Sequence, residues 1–246
     1  MDIREHIEEN HAGNTAKYIK NIIYGGLDGI ITTFAIIAAS VGANLESKYI
    51  IAIGFANLFA DGISMGMGDY LSSYFEHNYI LSEKEKEEYE FDNNRDYEIQ
   101  EMVELYNQEG LEADDSKNMV NILISKPKYK NIFIKNMMKM ELDLEVPDEN
   151  PNYKKEGLIT AISFIIFGFI PVFTYLIFHL TKYDNYNAIF AVNCVITIIS
   201  LFSLGTIQAK ITKQSWIKGG TLLTLHGTLA SIVAYFFGWG IEKLLN

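Results

Sequence analysis

Three stretches, 157–180, 188–209 and 219–241, contain no Asp, Glu, Lys or Arg. Each exceeds the roughly 20 residues that a helix rising 1.5 Å per residue needs to cross a hydrocarbon core of about 30 Å. In lipid every backbone polar group has to be satisfied within the segment, so this pattern predicts spanning helices. Two earlier runs are as apolar but carry acids: 21–45 contains Asp28, and 49–75 contains Asp61 and Asp69. Both are read as spans. The short link Glu46-Ser47-Lys48 between them predicts an antiparallel pair.

Between the second and third runs the pattern changes. Residues 76–156 are polar, yet Met102, Leu105, Val120, Leu123, Ile132 and Met140 recur at helical intervals. That periodicity argues against a disordered linker. Ser82 is placed to cap a helix through Glu83–Glu88, and a second helix fits 96–108 with Gly110 just beyond its end. Asp114 and Asp115 suit the start of a third helix ending before Pro127. A fourth fits 129–144, and Pro147 and Pro151 mark the return to the membrane. The predicted fold is therefore all-α and polytopic. A polar tail (1–19) precedes spans one and two (20–75), a helical insert (76–156) and spans three to five (157–246).

Charge sharpens this division. The insert holds 21 acidic and 11 basic residues, which is −10 of the chain's net −11. Acidic composition excludes nucleic acid, whose phosphates demand clustered Lys and Arg, and suits cations. Outside the insert, Arg4, Lys17, Lys20, Lys210, Lys213 and Lys218 fall on one side of a five-span topology; Lys48, Lys182 and Lys243 fall on the other. The positive-inside rule then puts the N-terminus and the insert in the cytosol and the C-terminus in the lumen. The polar, acidic start lacks the basic and apolar regions of a cleaved signal peptide. Cys194 is the single cysteine and reads as a small buried hydrophobe.

The intramembrane acids carry the chemistry. A charged Asp at a helix centre costs about 2.5–3.5 kcal/mol on insertion scales, so Asp28, Asp61 and Asp69 must face protein, water or a cation. Asp61, Met65 and Asp69 are spaced i, i+4, i+8 and line one helix face within about 80°. Carboxylate and thioether on one stripe suit a borderline divalent metal better than Mg²⁺ or Ca²⁺. Asp69 lies nearer the cytosolic end, where an interfacial role competes, and Met67 reads as packing. Gly25-x-x-x-Gly29 and Gly62-x-x-x-Gly66 predict that spans one and two pack closely, with a homodimer contact that includes these glycine faces.

In the insert, Glu87 with Glu90, Glu98 with Glu101, and Met137 with Glu141 each share a helix face; by spacing alone such pairs read as solvated faces. The five histidines make no site. His6, His11 and His77 are polar-flanked or at an edge, His179 is near a span end, and His226 reads as a packed, hydrogen-bonded side chain rather than a proton carrier. No zinc-type Cys/His cluster and no Walker A sequence occurs.

Tyr24-Gly-Gly-Leu-Asp-Gly-Ile-Ile-Thr-Thr-Phe34 resembles the first-span signature of the vacuolar iron transporter family. Ala60-Asp-Gly-Ile-Ser-Met-Gly-Met-Gly-Asp-Tyr70 resembles the second. Glu87-Glu-Tyr-Glu90, Glu98-Ile-Gln-Glu101 and Met137-Met138 with Glu141 resemble its cytosolic metal-binding helices. The resemblance runs from about Tyr18 to Ile241. It implies a homodimeric secondary transporter, not an enzyme, exporting Fe²⁺ from the cytosol into a vacuole or similar store by proton antiport. It implies Asp28 and Met65 as pathway ligands, with Asp61 and Asp69 as further pathway or proton-linked groups. Glu87, Glu90, Glu98, Glu101, Met137 and Glu141 would capture the metal, with Met138 as an alternative or additional ligand. No prosthetic group is implied; the partners are divalent ions (Fe²⁺, with Mn²⁺ or Zn²⁺ also able to bind), protons and the lipid bilayer.

Three other readings compete. A manganese or broad divalent-metal transporter has the same ligand chemistry. A membrane di-iron ferroxidase wants two Glu-x-x-His motifs, and only Glu8-x-x-His11 is present. A non-transporting metal sensor would not need acids inside the spans.

Overall fold

The computed structural model describes residues 13–147, 152–183 and 185–245. Arg4, His6, Glu8, His11 and Pro151 lie outside them. The described residues form eight α-helices and one 3₁₀ turn, with no strand among them. In order these are α1 (Gly13–Gly42), α2 (Ser47–Asn93), α3 (Arg95–Gln108), α4 (Ala113–Ile124), the turn Pro127–Tyr129, α5 (Lys130–Glu141), α6 (Tyr153–Leu180), α7 (Tyr186–Ile211) and α8 (Trp216–Leu245). Five of them, α1, α2, α6, α7 and α8, are long and apolar enough to cross a membrane.

The chain divides into two compact units. One holds the described residues through Tyr70 together with those from Tyr153 onward; the other is Leu71–Asn152. In the first unit, Ile37, Ile50, Val172, Tyr175 and Ile189 form one buried cluster, and Ile30, Ile31, Leu201 and Leu204 form another. The second unit has its own core of Ile80, Phe91, Met102, Tyr106, Val120, Phe133, Ile134, Met137 and Met138.

Four helices end in the same way. Asn44, Gly110, Lys182 and Lys213 take positive φ. The next residue's N–H then reaches back five positions: Leu45 to Ser40, Leu111 to Tyr106, Tyr183 to Phe178 and Gln214 to Ala209. This geometry satisfies carbonyls that the helix end leaves open. Only Gly110 announced it in the sequence, because glycine alone adopts that conformation without steric cost.

Two expectations are corrected. No separate helix begins at Ser82: α2 runs unbroken for 47 residues, and the Ser82 hydroxyl donates to the Tyr79 carbonyl inside it. The fourth insert helix stops at Glu141 rather than 144, since Asp143 turns to positive φ and Leu144 N–H returns to the Met138 carbonyl. Ile132, one of the apolar residues of the periodic pattern, is 46% exposed, whereas its neighbours Phe133 and Ile134 are buried.

The glycine expectation also changes. A Cβ at Gly25 would lie 2.6 Å from the Thr160 carbonyl oxygen, and one at Gly29 would strike the Phe164 carbonyl. A Cβ at Gly62 would lie 2.7 Å from the Ile165 side chain, and one at Gly66 2.6 Å from Ala161 and the Gly157 carbonyl. Both glycine faces therefore seat against α6. These faces are occupied within the chain itself.

Candidate metal centre and intramembrane acids

In the second unit, α2 contributes Glu87 and Glu90 and α3 contributes Glu98. One carboxylate oxygen from each lies within 4.8 Å of the others. Glu87 and Glu98 are almost fully buried and Glu90 is exposed, so the cluster opens to solvent on one side. The burial follows from helix phase. Glu87 precedes the core residue Phe91 by one turn; Glu98 precedes Met102, which precedes Tyr106. Two carboxylates thus occupy positions that the helical period assigns to the core.

Leaving them there has a cost. Glu87 Oε2 is buried and has no hydrogen-bond partner. A buried charge needs pairing, a bound cation or a proton. Burial pushes the Glu87 carboxyl up to about 7, with repulsion from Glu141, Glu98, Glu90 and Glu101 adding to it. Glu98 also rises to about 7, again mainly through burial and then through Glu101, Glu90 and Glu141. Glu141, largely exposed by surface area, is still raised by partial desolvation and by Glu101 and Glu90. Five carboxylates thus repel one another around one locus, which favours a cation that gathers several oxygens.

Met137 and Met138 are both fully buried in the adjoining core, with α5 placing them one turn before Glu141. Burial does not distinguish between them as thioether ligands.

In the first unit the acids are dispersed. Asp28 on α1 and Asp61 and Met65 on α2 are each partly buried. Asp28 interacts electrostatically with Asp61 and with His226 on α8. His226, expected to be packed, is exposed on the surface of α8. Met67 is 51% exposed, so its expected packing role is not filled within this chain. Asp69 is held differently: Asn21 Nδ2 donates to its Oδ2 at 2.9 Å and Thr160 Oγ1 donates to the same oxygen at 2.6 Å.

The sequence model of the VIT family matches residues 19–239. The chain belongs to the VIT family. It is 38% identical over 224 residues to a protein from Plasmodium berghei (strain Anka) named vacuolar iron transporter, covering 90% of this chain and 81% of that one. It is 36% identical to a protein of the same name from Toxoplasma gondii (strain ATCC 50861 / VEG), over 97% of this chain and 78% of that one. A vacuolar iron transporter 1 from Tulipa gesneriana is 30% identical over 98% of this chain and 94% of its own length.

For this VIT-family chain, sequence reasoning missed two residues that the structure brings to an intramembrane acid, Asn21 and Thr160. In the sequence Asn21 marks only the start of a span and Thr160 only part of an apolar run. Polar side chains in a spanning segment, two turns before one acid and on the partner of another, were the available signal.

Proposed function

We propose that this protein carries divalent iron across a membrane, from the cytosol into a vacuole or similar store, in exchange for protons. In this reading the acidic insert is cytosolic, the C-terminus is lumenal and the working unit is a homodimer. The observation that carries it is the convergence of Glu87, Glu90 and Glu98 around a buried, unpaired carboxylate oxygen. It occurs in a chain that also places Asp28 and Asp61 within spanning helices. The relatives' names supply the cargo and the compartment.

The division of labour follows from the chemistry. The insert gathers the ion from solution with several carboxylates. Asp28, Asp61 and Met65 then pass it through the spans. An acid in a low-dielectric route releases a proton when a cation binds and regains one when the cation leaves. That exchange is the elementary step of an antiporter.

The test is uptake into proteoliposomes, with Fe²⁺, Mn²⁺ and Zn²⁺ compared with and without an imposed pH gradient. Fe²⁺ uptake accelerated by the gradient is the expected result. Mn²⁺ moving faster than Fe²⁺ would favour the broader metal transporter, and uptake indifferent to the gradient would remove proton exchange from the reading.

A further inference from the structure

The junction of Asn21, Asp69 and Thr160 joins three helices at one carboxylate oxygen. Asn21 is on α1, Asp69 on α2 and Thr160 on α6, and both donors converge on Asp69 Oδ2. Asn21 and Thr160 are buried, at 9% and 1% exposure. The same two donors also reach the Glu156 carbonyl, Asn21 at 3.3 Å and Thr160 at 3.2 Å. Thr160 has one hydroxyl proton, and the shorter distance directs it to Asp69.

Helix phase explains why Asp69, and not Asp61, is caught. At 100° per residue, the i, i+4, i+8 stripe drifts by about 40° at each step. Asp69 therefore lies about 20° from the direction of Gly62, which seats on α6, whereas Asp61 lies about 100° away. The far end of the stripe turns into the packing face and its near end stays at the rim.

The position of the junction matters for the two other acids. Asp28 lies seven residues after Asn21 on α1, and Asp61 eight residues before Asp69 on α2. The link at 43–46 makes α1 and α2 antiparallel neighbours in sequence, so both steps lead away from the junction in the same direction. They cover about 10 Å and about 12 Å at 1.5 Å per residue. A hydrogen bond between Asn21 and Asp69 thus brings Asp28 and Asp61 to nearly the same level, consistent with their electrostatic interaction.

We propose that Asn21 and Thr160 are positioning residues: by binding the Asp69 carboxylate they fix the register of α1, α2 and α6 that sets Asp28 opposite Asp61. Asp69 then serves the route as a hydrogen-bond acceptor and not as a ligand of the cargo. This rests on the transport reading for its purpose, though not for its geometry.

The experiment therefore has a transport arm and a transport-independent arm, both with the full chain. Thr160→Val removes the hydroxyl at nearly constant shape, Thr160→Ser restores it, and Asp69→Asn keeps an acceptor oxygen without the charge. Fe²⁺ uptake, per folded protein, is expected to fall roughly 3- to 10-fold in Thr160→Val, the scale of one interhelical hydrogen bond in a membrane. Thr160→Ser and Asp69→Asn are expected to stay within about 3-fold of the parent. The second arm measures the yield of cross-linking between Tyr18→Cys and Lys155→Cys by a short bifunctional thiol reagent, in a Cys194→Ser background, since a reagent spans side chains whose tips meet without requiring disulfide geometry. In the parent the Lys155 ammonium lies 4.3 Å from the Tyr18 ring centre, joining α1 to α6 near the junction. The yield is expected to drop in Thr160→Val and recover in Thr160→Ser. Unchanged cross-linking in Thr160→Val overturns the proposal, as does lost cross-linking with normal uptake. Loss of uptake in Asp69→Asn as complete as in Asp28→Ala also overturns it, because Asp69 would then act by charge. Absence of uptake by the parent protein would defeat the transport reading alone, with the cross-linking arm still deciding the junction.

Discussion

The two sets of acids in this protein are arranged in opposite ways. In the insert, carboxylates crowd: Glu87, Glu90 and Glu98 bring oxygens within 4.8 Å, and Glu101 and Glu141 add their repulsion. In the spans the acids are fewer: Asp28 meets Asp61 across two helices, and Asp69 is committed to Asn21 and Thr160. Crowding gives affinity, because a divalent ion relieves several repulsions at once. Sparseness gives passage, because an ion held by few charges can leave. An ion route through lipid also cannot bear many uncompensated carboxylates when empty, since each is expensive there.

The largest effect is expected where one residue has no substitute. Asp28→Ala should reduce Fe²⁺ uptake to background while the insert still binds metal. Alanine makes insertion of the helix easier rather than harder, so loss of uptake at matched protein level would not be a folding effect. Uptake near that of the parent protein would show that Asp28 is off the route. Met65→Ala should slow iron movement without abolishing proton exchange, because a thioether does not titrate.

A smaller effect is expected in the insert, where neighbours share the load. Glu87→Gln with Glu98→Gln should weaken equilibrium metal binding by the full chain about 10- to 100-fold, the scale seen when groups shaping a metal site are removed. At saturating metal, uptake should be nearly normal. Unchanged affinity by calorimetry would mean that the cluster is not the capture site.

The spans were legible in the sequence because their signal is length and lack of charge, which tertiary context does not alter. The start of each insert helix after α2 was legible to within a residue or two because Asp114, Asp115 and the flanking prolines are local signals. The long continuation of α2 was not, because Ser82 looks like a cap whether or not the helix has already begun. The candidate residues Glu87, Glu90 and Glu98 were visible as in-phase pairs, but spacing could not place α2 beside α3. The pattern does carry one clue: Glu87 and Glu98 are in phase with Phe91 and Met102, so their helices bury them. The partners of Asp69 were illegible because a hydrogen bond linking positions 69 and 160 depends on the packing of three helices.

Acidity offers a third way to separate the regions. The raised Glu87 and Glu98 carboxyls have folded-state values near 7, above the ordinary 4.5. Between those values the folded protein binds more protons than the unfolded chain. The metal-free insert should therefore be most stable at acid pH and lose stability as pH rises through about 7. Metal affinity should move the other way, rising over the same window as protons cease to compete. Melting curves of the detergent-solubilised protein from pH 5 to 8, with and without metal, check both signs. A metal-free protein that gains stability over that range would contradict the burial of these carboxyls.

The smallest expected effect concerns the thioether. Met137 and Met138 are both fully buried, so exposure does not choose between them. Leucine nearly conserves their volume, and such a swap in a core usually costs less than about 1.5 kcal/mol. The fold should therefore survive either Met137→Leu or Met138→Leu, and any change in metal binding can be assigned to the lost sulfur. Met137 lies four residues before Glu141, about 40° from it around α5, and Met138 lies three before it, about 60° away on the other side, so the helical period favours Met137 by a small margin. Met137→Leu is therefore expected to weaken Fe²⁺ or Zn²⁺ binding by a few-fold and to leave Mg²⁺ competition unchanged, because Mg²⁺ prefers oxygen and gains little from a thioether. Met138→Leu should change only stability. Equal losses of Fe²⁺ affinity in both variants would mean that the effect passes through core packing, and that the carboxylates bind the ion without sulfur.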